Sequence, residues 1–431
     1  MKFAVMNFTE DFLHFIWQFR LFKTTELYCA GGEKLELLSP GVLNKDAGPD
    51  FSHARLKIDD TLWAGNVELH IKSSDWLLHS HGENGAFESV ILHVVYQHDQ
   101  EIYHRNGSLI PVLVLKDLFS DHLLYTYHSL VNNRNAFPCE KQIGSVDQIV
   151  IENALSRAIA ERLQHKSAEV LTRLGALKGS WDETFYYFIA RNFGFKVNAV
   201  PFEMLASSLP QRIFAKHKNN PLQIEAMIFG QAGFLNAELP DEYSKQLYLE
   251  YTFLQRKYGF KPIDVSLWKF LRMRPQNFPT VRLAQFAALI VSSSHLFSKI
   301  LELKSLKEIY RLFEDLPVNN YWEQHYHFRK ATKHVRLQPG PASVQNIVIN
   351  TICLFLFTYG KYTDQAHFMD RALVFLEELP AERNMIIDQY VNSGVRPDSA
   401  LMSQALLQLN KYHCSQKKCL NCGIGIKILK K

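Results

Sequence analysis

Long apolar runs are missing from this 431-residue chain. The longest, Ile347 to Tyr359, is interrupted by Asn350. It falls short of the ~20 residues a membrane-spanning helix needs, so a buried helix is expected there and no membrane partner. A secretion signal is missing as well, because Glu10 and Asp11 break the N-terminal segment and no small-residue cleavage site follows. Cysteine is scarce: six residues, three of them in the last eighteen, which excludes a secreted disulfide scaffold and points to a reduced cytoplasm. No fixed-period repeat is present, which excludes a solenoid. Strong charge of one sign is absent too; a net +5 permits a polyanionic partner without demanding one.

What is present is an ordinary soluble composition, 47% hydrophobic and 21% charged, in a chain long enough for two or three domains. Residues 8–22 carry a possible N-cap at Thr9, acids in the first turn and aromatic spacing that predicts a helix. From 34 to 115 the pattern changes to short β-rich runs at 35–38, 54–58, 62–72, 89–96 and 109–115, separated by turn signals. Among those signals are Ala-Gly-Pro at 47–49, Gly-Glu-Asn-Gly at 82–85 and Arg-Asn-Gly at 105–107, the last a hairpin turn between 99–104 and 109–115. After Pro138-Cys139-Glu140 three- and four-residue apolar steps predict helices almost to the end, beginning with 146–174. The expected architecture is an α/β domain at 1–130, with a helix and a mixed sheet, followed by a large all-α domain at 131–412. A Cys-rich basic tail, 413–431, is expected to pack on the helical domain.

Histidine is concentrated where the chemistry gathers. Seven of 18 fall between His53 and His104. In Val67-Glu68-Leu69-His70-Ile71-Lys72 the strand period puts Glu68, His70 and Lys72 on one face and the apolar residues on the other. Asp50 of Gly48-Pro49-Asp50-Phe51 enters the preceding strand, so two carboxylates on neighbouring strands could share a Mg²⁺ or Mn²⁺. His79 and His81 follow directly and face one way if extended, towards metal, phosphate or base. A histidine-metal enzyme centred on His70, His79 and His81 is therefore a further reading. His93, set among apolar neighbours, is either a core histidine or a support for the site.

This arrangement resembles the PD-(D/E)XK nuclease superfamily, whose motif pairs an acid with a later acid-X-lysine. Pro49-Asp50 supplies the first element and Glu68-Leu69-His70 the second, with histidine where lysine stands in the family. Glu10 matches the helical glutamate that often precedes the pair. The resemblance implies a restriction-endonuclease-like fold over about the first 115 residues and phosphodiester hydrolysis, with either His70 or Lys72 in the lysine role. The whole chain also resembles an uncharacterised bacterial family carrying Asn-X-Asp-Ala-Gly-Pro-Asp-Phe and Gly-Asn-Val-Glu-X-His, here Asn44 to Phe51 and Gly65 to His70.

Two further segments stand out. Cys414, Cys419 and Cys422 form C-x4-C-x2-C, a spacing suited to Zn²⁺ or an iron–sulfur cluster. Cys139 is the candidate fourth ligand and His413 the local alternative. Lys417, Lys418, Lys427, Lys430 and Lys431 make this end basic. In the helical part Arg272, Arg274 and Arg282 surround a Pro-bounded loop with Trp268, Phe270 and Phe278, the residue types that grip phosphates and stack on bases. The alternative is a helix–loop–helix connection whose aromatics are core and whose arginines pair with acids. The sequence thus predicts a cytoplasmic metal-dependent nuclease, or a non-catalytic nucleic-acid-binding or assembly protein on a degenerate nuclease scaffold.

Overall fold

The computed structural model describes residues 8–81, 84–293 and 295–431; the turn expected at 82–85 lies partly outside them. The chain forms two compact units: residues 1–154, 389–395 and 409–431 make the first, and 155–388 with 396–408 the second. The tail thus groups with the α/β unit and not with the helical one on which it was expected to pack.

The first unit is built on seven strands: β1 (Leu27–Tyr28), β2 (Lys34–Ser39), β3 (Val42–Leu43), β4 (Phe51–Ile58), β5 (Thr61–Lys72), β6 (Val90–Gln97) and β7 (Val112–Val114). Their order is β1-β2-β4-β5-β6-β7, with β3 paired to β4. The pairs up to β5 are antiparallel, whereas β5–β6 and β6–β7 are parallel. The sheet is therefore mixed, as the sequence predicts. The expected 99–104/109–115 hairpin shrinks to a single bridge, Tyr103 to Leu109, because the second segment pairs with β6 instead.

Helix α1 (Glu10–Gln18) buries Phe12, Leu13, Phe15, Ile16 and Trp17, and the Trp17 indole N–H donates to the Pro40 carbonyl at 3.0 Å. Central strand β5 is buried on both faces from Val67 to His70, so its polar face is covered and not solvated. The reason is the company it keeps, since α1 sends polar side chains to that face.

Gly65 lets β5 and β6 approach: a Cβ there would stand 2.5 Å from Ile91 Cγ2 and 2.7 Å from the Ser89 carbonyl. The crossover between these strands is α2 (Asp75–Leu78) and the loop after it. Ser73 and Ser74 anchor its start through Asp99, whose carboxylate accepts from both hydroxyls and from the Ser74 amide at 2.8–3.0 Å. Helix α3 (Asp121–Val131) and most of the terminal residues complete this unit, with α4 (Gln148–Ala176) starting in it.

Among the described residues, the regular structure of the second unit is helical apart from a small hairpin, His325–His327 with Lys330–Ala331. Its core is aromatic: Phe229 stacks on Trp322 with centroids 5.0 Å apart, and Phe185, Phe286 and Phe355 are fully buried. The expected buried helix runs from Pro341 to Tyr362, a π-helical turn at Val348–Cys353 included. Its 22 residues make it longer than the apolar run suggested and enough to span a bilayer by length and composition. However, 61% of its apolar window is buried inside this unit, as in a core helix.

Candidate metal centre

The Gly-Pro-Asp turn owes its shape to two residues. Gly48 sits at φ +113°, a left-handed region that a side chain would strain. The Asn44 amide donates to the carbonyls of Ala47 and Pro49, at 3.4 and 3.0 Å. This loop delivers Asp50 to the head of β4. The Asp50 backbone N–H donates to Glu68 Oε2 at 3.0 Å, and Asp50 Oδ2 accepts from the Leu69 N–H at 2.9 Å. The two acids expected to meet across neighbouring strands are thus interlocked.

Around Glu68 stand imidazoles. Glu68 Oε1 lies 3.1 Å from His81 Nε2 and 3.7 Å from His70 Nε2. His70 Nε2 is also 3.1 Å from His79 Nδ1. The rings of His70, His79 and His81 form a near-equilateral triangle, with centroids 5.0, 5.2 and 5.3 Å apart. Ligand atoms of these three residues all lie within 4.8 Å of one another.

Local structure produces this convergence. His79 caps the end of α2, Ser80 takes a left-handed φ of 56°, and the chain reverses so that His81 returns towards the sheet. His81 stacks on Phe87 at 3.9 Å and meets the edge of buried Trp76. His93 on β6 holds His70 from behind, Nε2 to Nδ1 at 2.9 Å, and is fully buried. If the proton between them sits on His70 Nδ1, His70 Nε2 keeps its lone pair for the triangle.

Charge follows burial. Glu68 is 4% exposed; burial first, then the neighbouring Asp50 carboxylate, push its pKa far above the carboxylate range. Burial and the nearby His93, His81 and His79 depress His70 to about 3, and burial with His81 depresses His93. Without an ion, burial therefore favours the neutral acid at Glu68 and neutral rings at His70 and His93.

Does this set suit a metal? Donors about 2.0–2.1 Å from a single ion stand roughly 3.0–3.4 Å apart. The separations of 3.1, 3.1 and 3.7 Å fall at or near that range. His81 Nε2 is buried and has no aligned hydrogen-bond partner among the described residues. Its near neighbour is the Glu68 carboxyl at 3.1 Å, and an ion shared between the two would satisfy both. The residues fit a divalent transition ion held by His70, His79, His81 and Glu68.

Two more groups flank the set. From α1, His14 Nε2 lies 3.1 Å from Asp50 Oδ2. Burial would lower the His14 pKa, but the Asp50 carboxylate overrides this and holds it above the usual imidazole value. Glu10, one turn earlier, is raised by burial and feels both His79 and Asp50. Sequence reasoning missed His14, although an acid and a histidine four residues apart on one helix face were visible. Lys72, in contrast, is exposed at the end of β5 and its ammonium makes no ion pair among the described residues. The lysine role is not filled from that position.

The other candidates divide. Arg272 and Arg274 are exposed, as a phosphate grip requires. Arg282 is not available: it is 4% exposed, donates to Gln285, Asn277 and Ser343, and lies over the Phe195 ring. Trp268 is also core, its N–H given to the Ala232 carbonyl at 2.8 Å. For Trp268 the core reading of the helix–loop–helix alternative holds; Arg282 is held by neutral side chains and not by the acids that alternative expects.

No curated protein and no solved structure matches the chain. A family profile described as "Protein of unknown function (DUF2851)" matches residues 10–385, which takes in every residue of the acid–imidazole centre. The chain belongs to the DUF2851 family.

Proposed function

We propose that this protein is a metal-dependent phosphodiesterase acting on nucleic acid. The observation that carries the reading is the meeting of Glu68 with the His70–His79–His81 triangle, beside the Asp50–His14 pair. Motif order supports it: a helical Glu10, Pro49-Asp50 and Glu68-X-His70 follow the sequence of elements in the PD-(D/E)XK pattern, and we read the mixed sheet as restriction-endonuclease-like on that basis. Imidazole donors favour a transition ion such as Mn²⁺ over Mg²⁺, which prefers oxygen and water. Such an ion supplies Lewis acidity at a phosphoryl oxygen.

The chain's own groups do the rest. Hydrolysis removes a proton from water and delivers one to the leaving oxygen. Asp50 is the nearby carboxylate able to accept the first, and protonated His14 the donor of the second. Glu10 adds negative charge that helps to keep His14 protonated. Arg272 and Arg274 supply exposed cations for a phosphate backbone.

The test is cleavage of single- and double-stranded DNA and RNA with Mn²⁺, Mg²⁺ and Zn²⁺, comparing wild type with Asp50→Ala. Loss of cleavage by 10²-fold or more in Asp50→Ala supports the reading. Equal rates in the two proteins sink it. A second reading, a non-catalytic nucleic-acid-binding protein, is favoured by the exposed Lys72 and by histidine in the lysine position. Binding without turnover in any metal, unaffected by Glu68→Ala, would select it.

A further inference from the structure

The acid–imidazole centre uses none of the cysteines, and four of the six meet elsewhere in the same unit. We propose that Cys139, Cys414, Cys419 and Cys422 bind a thiolate-ligated metal centre, and that this centre fixes residues 416–421 as one wall of a cleft beside the acid–imidazole site. The metal half stands independently of the phosphodiesterase reading; the role given below to the lysines rests on it.

The convergence is built by packing. Cys139, Cys419 and Cys422 are buried, and Cys414 is half-buried. The Tyr390 hydroxyl lies 3.4 Å from Cys414 Sγ, and the Tyr390 ring stacks at 4.2 Å on Phe137, two residues before Cys139. One side chain therefore ties the Cys139 segment to the tail. The x2 turn is closed by the Cys422 N–H, which donates to the Cys419 carbonyl at 3.3 Å. A Cβ at Gly425 would stand 2.3 Å from that carbonyl, so glycine lets the last helix press against the turn.

Electrostatics agrees with the geometry. Burial first, and the other sulfurs second, raise the thiols of Cys139 and Cys419. Four thiols within electrostatic reach of one another, three buried and one half-buried, drawn from segments about 275 residues apart in sequence, are more than small apolar fillers. None forms a disulfide. Among the described residues only the histidine triangle brings three ligand atoms within 4.8 Å of one another. A single zinc would thus have to draw the sulfurs together, whereas an iron–sulfur cluster bridges its thiolates through inorganic sulfide and would not.

Cys414 and Cys419 bracket the segment Ser415–Lys418, in which Lys417 holds a left-handed φ of 54°. Gln416, Lys417, Lys418, Leu420 and Asn421 line a cleft of about 560 Å³, with Tyr127 and His14 also on its lining. The same His14 touches Asp50. Lys417 and Lys418 therefore face the volume next to the proposed proton donor, where an anionic phosphate would lie.

The experiment uses the full chain carrying His70→Ala, which disables the first centre, purified without oxygen. Iron with acid-labile sulfide, or zinc, is expected near one centre per chain and lost on further Cys139→Ser or Cys414→Ser substitution. Iron with sulfide identifies a cluster and zinc a closed single-ion site; either supports the four-thiolate centre. A folded protein that retains neither metal and takes up neither on reconstitution overturns it. In a His70-intact background, Lys417→Gln/Lys418→Gln should leave the cysteine-bound metal unchanged, weaken binding of a labelled oligonucleotide about tenfold and reduce its salt slope by about two. Unchanged binding there overturns the wall assignment. If the phosphodiesterase reading alone is wrong, no protein cleaves, yet the metal results stand.

Discussion

Glu68→Gln removes one proton-binding site from the centre of the sheet and changes little else. The amide oxygen can still accept from the Asp50 N–H, and side-chain volume is conserved. In wild type, burial and Asp50 raise the Glu68 carboxyl to about 9, against an unfolded value near 4.3. A carboxyl whose folded value is the higher one binds its proton more tightly in the native state. Its contribution is therefore complete below the unfolded value and shrinks as pH rises towards the folded one. The slope is about 1.4 kcal/mol per pH unit, so metal-free wild type should lose about 2–3 kcal/mol between pH 6.5 and 8.5 from this group alone. Glu68→Gln should lose none of that. Hydrogen exchange of the β5 and β6 amides in chelator, at several pH values, reads local stability in the sheet directly. Equal alkaline losses in the two proteins would refute the claim that Glu68 is neutral without metal. Added Mn²⁺ should flatten the wild-type loss and release protons, because the ion takes the deprotonated carboxylate.

Three shorter expectations follow. His93→Ala should weaken Mn²⁺ binding 10–100-fold by isothermal titration, since it removes the ring that fixes the His70 tautomer; unchanged affinity would leave His93 as packing only. Gly65→Ala should lower unfolding free energy in denaturant titration by about 1–3 kcal/mol, as its methyl meets Ile91 and the Ser89 carbonyl. Arg282→Ala should destabilise the helical unit by about 2–4 kcal/mol, leaving Gln285, Asn277 and Ser343 short of a donor, while oligonucleotide affinity stays within twofold.

The legible part of the molecule was the part governed by short-range rules. Strand alternation placed Glu68 and His70 on one face, and the turn residues at 47–50 announced the loop that carries Asp50. The histidine surplus marked the window in which Glu68, His70, His79 and His81 converge, and the oddity of His93 among apolar neighbours was visible. What escaped depends on tertiary contact. Nothing local distinguishes Lys72, exposed at a strand end, from a lysine aimed at a metal. Arg282 looked like a surface cation because its three acceptors come from its own helix, from the preceding turn and from a residue 61 positions away. The tail's partner was also hidden: basic character says nothing about which unit receives it, and its docking rests on Tyr390, Phe137 and Gly425.

The connection between β5 and β6 has a consequence for how the protein matures. These strands run parallel, so the chain must travel the length of the sheet before β6 can pair, and that return path holds both His79 and His81. Two corners of the ligand triangle thus take their places only after a non-local strand has docked, an event expected late because its loop must close first. On the metal-centre reading, an ion would bind a scaffold already assembled, and its removal should empty the centre without dismantling the strands.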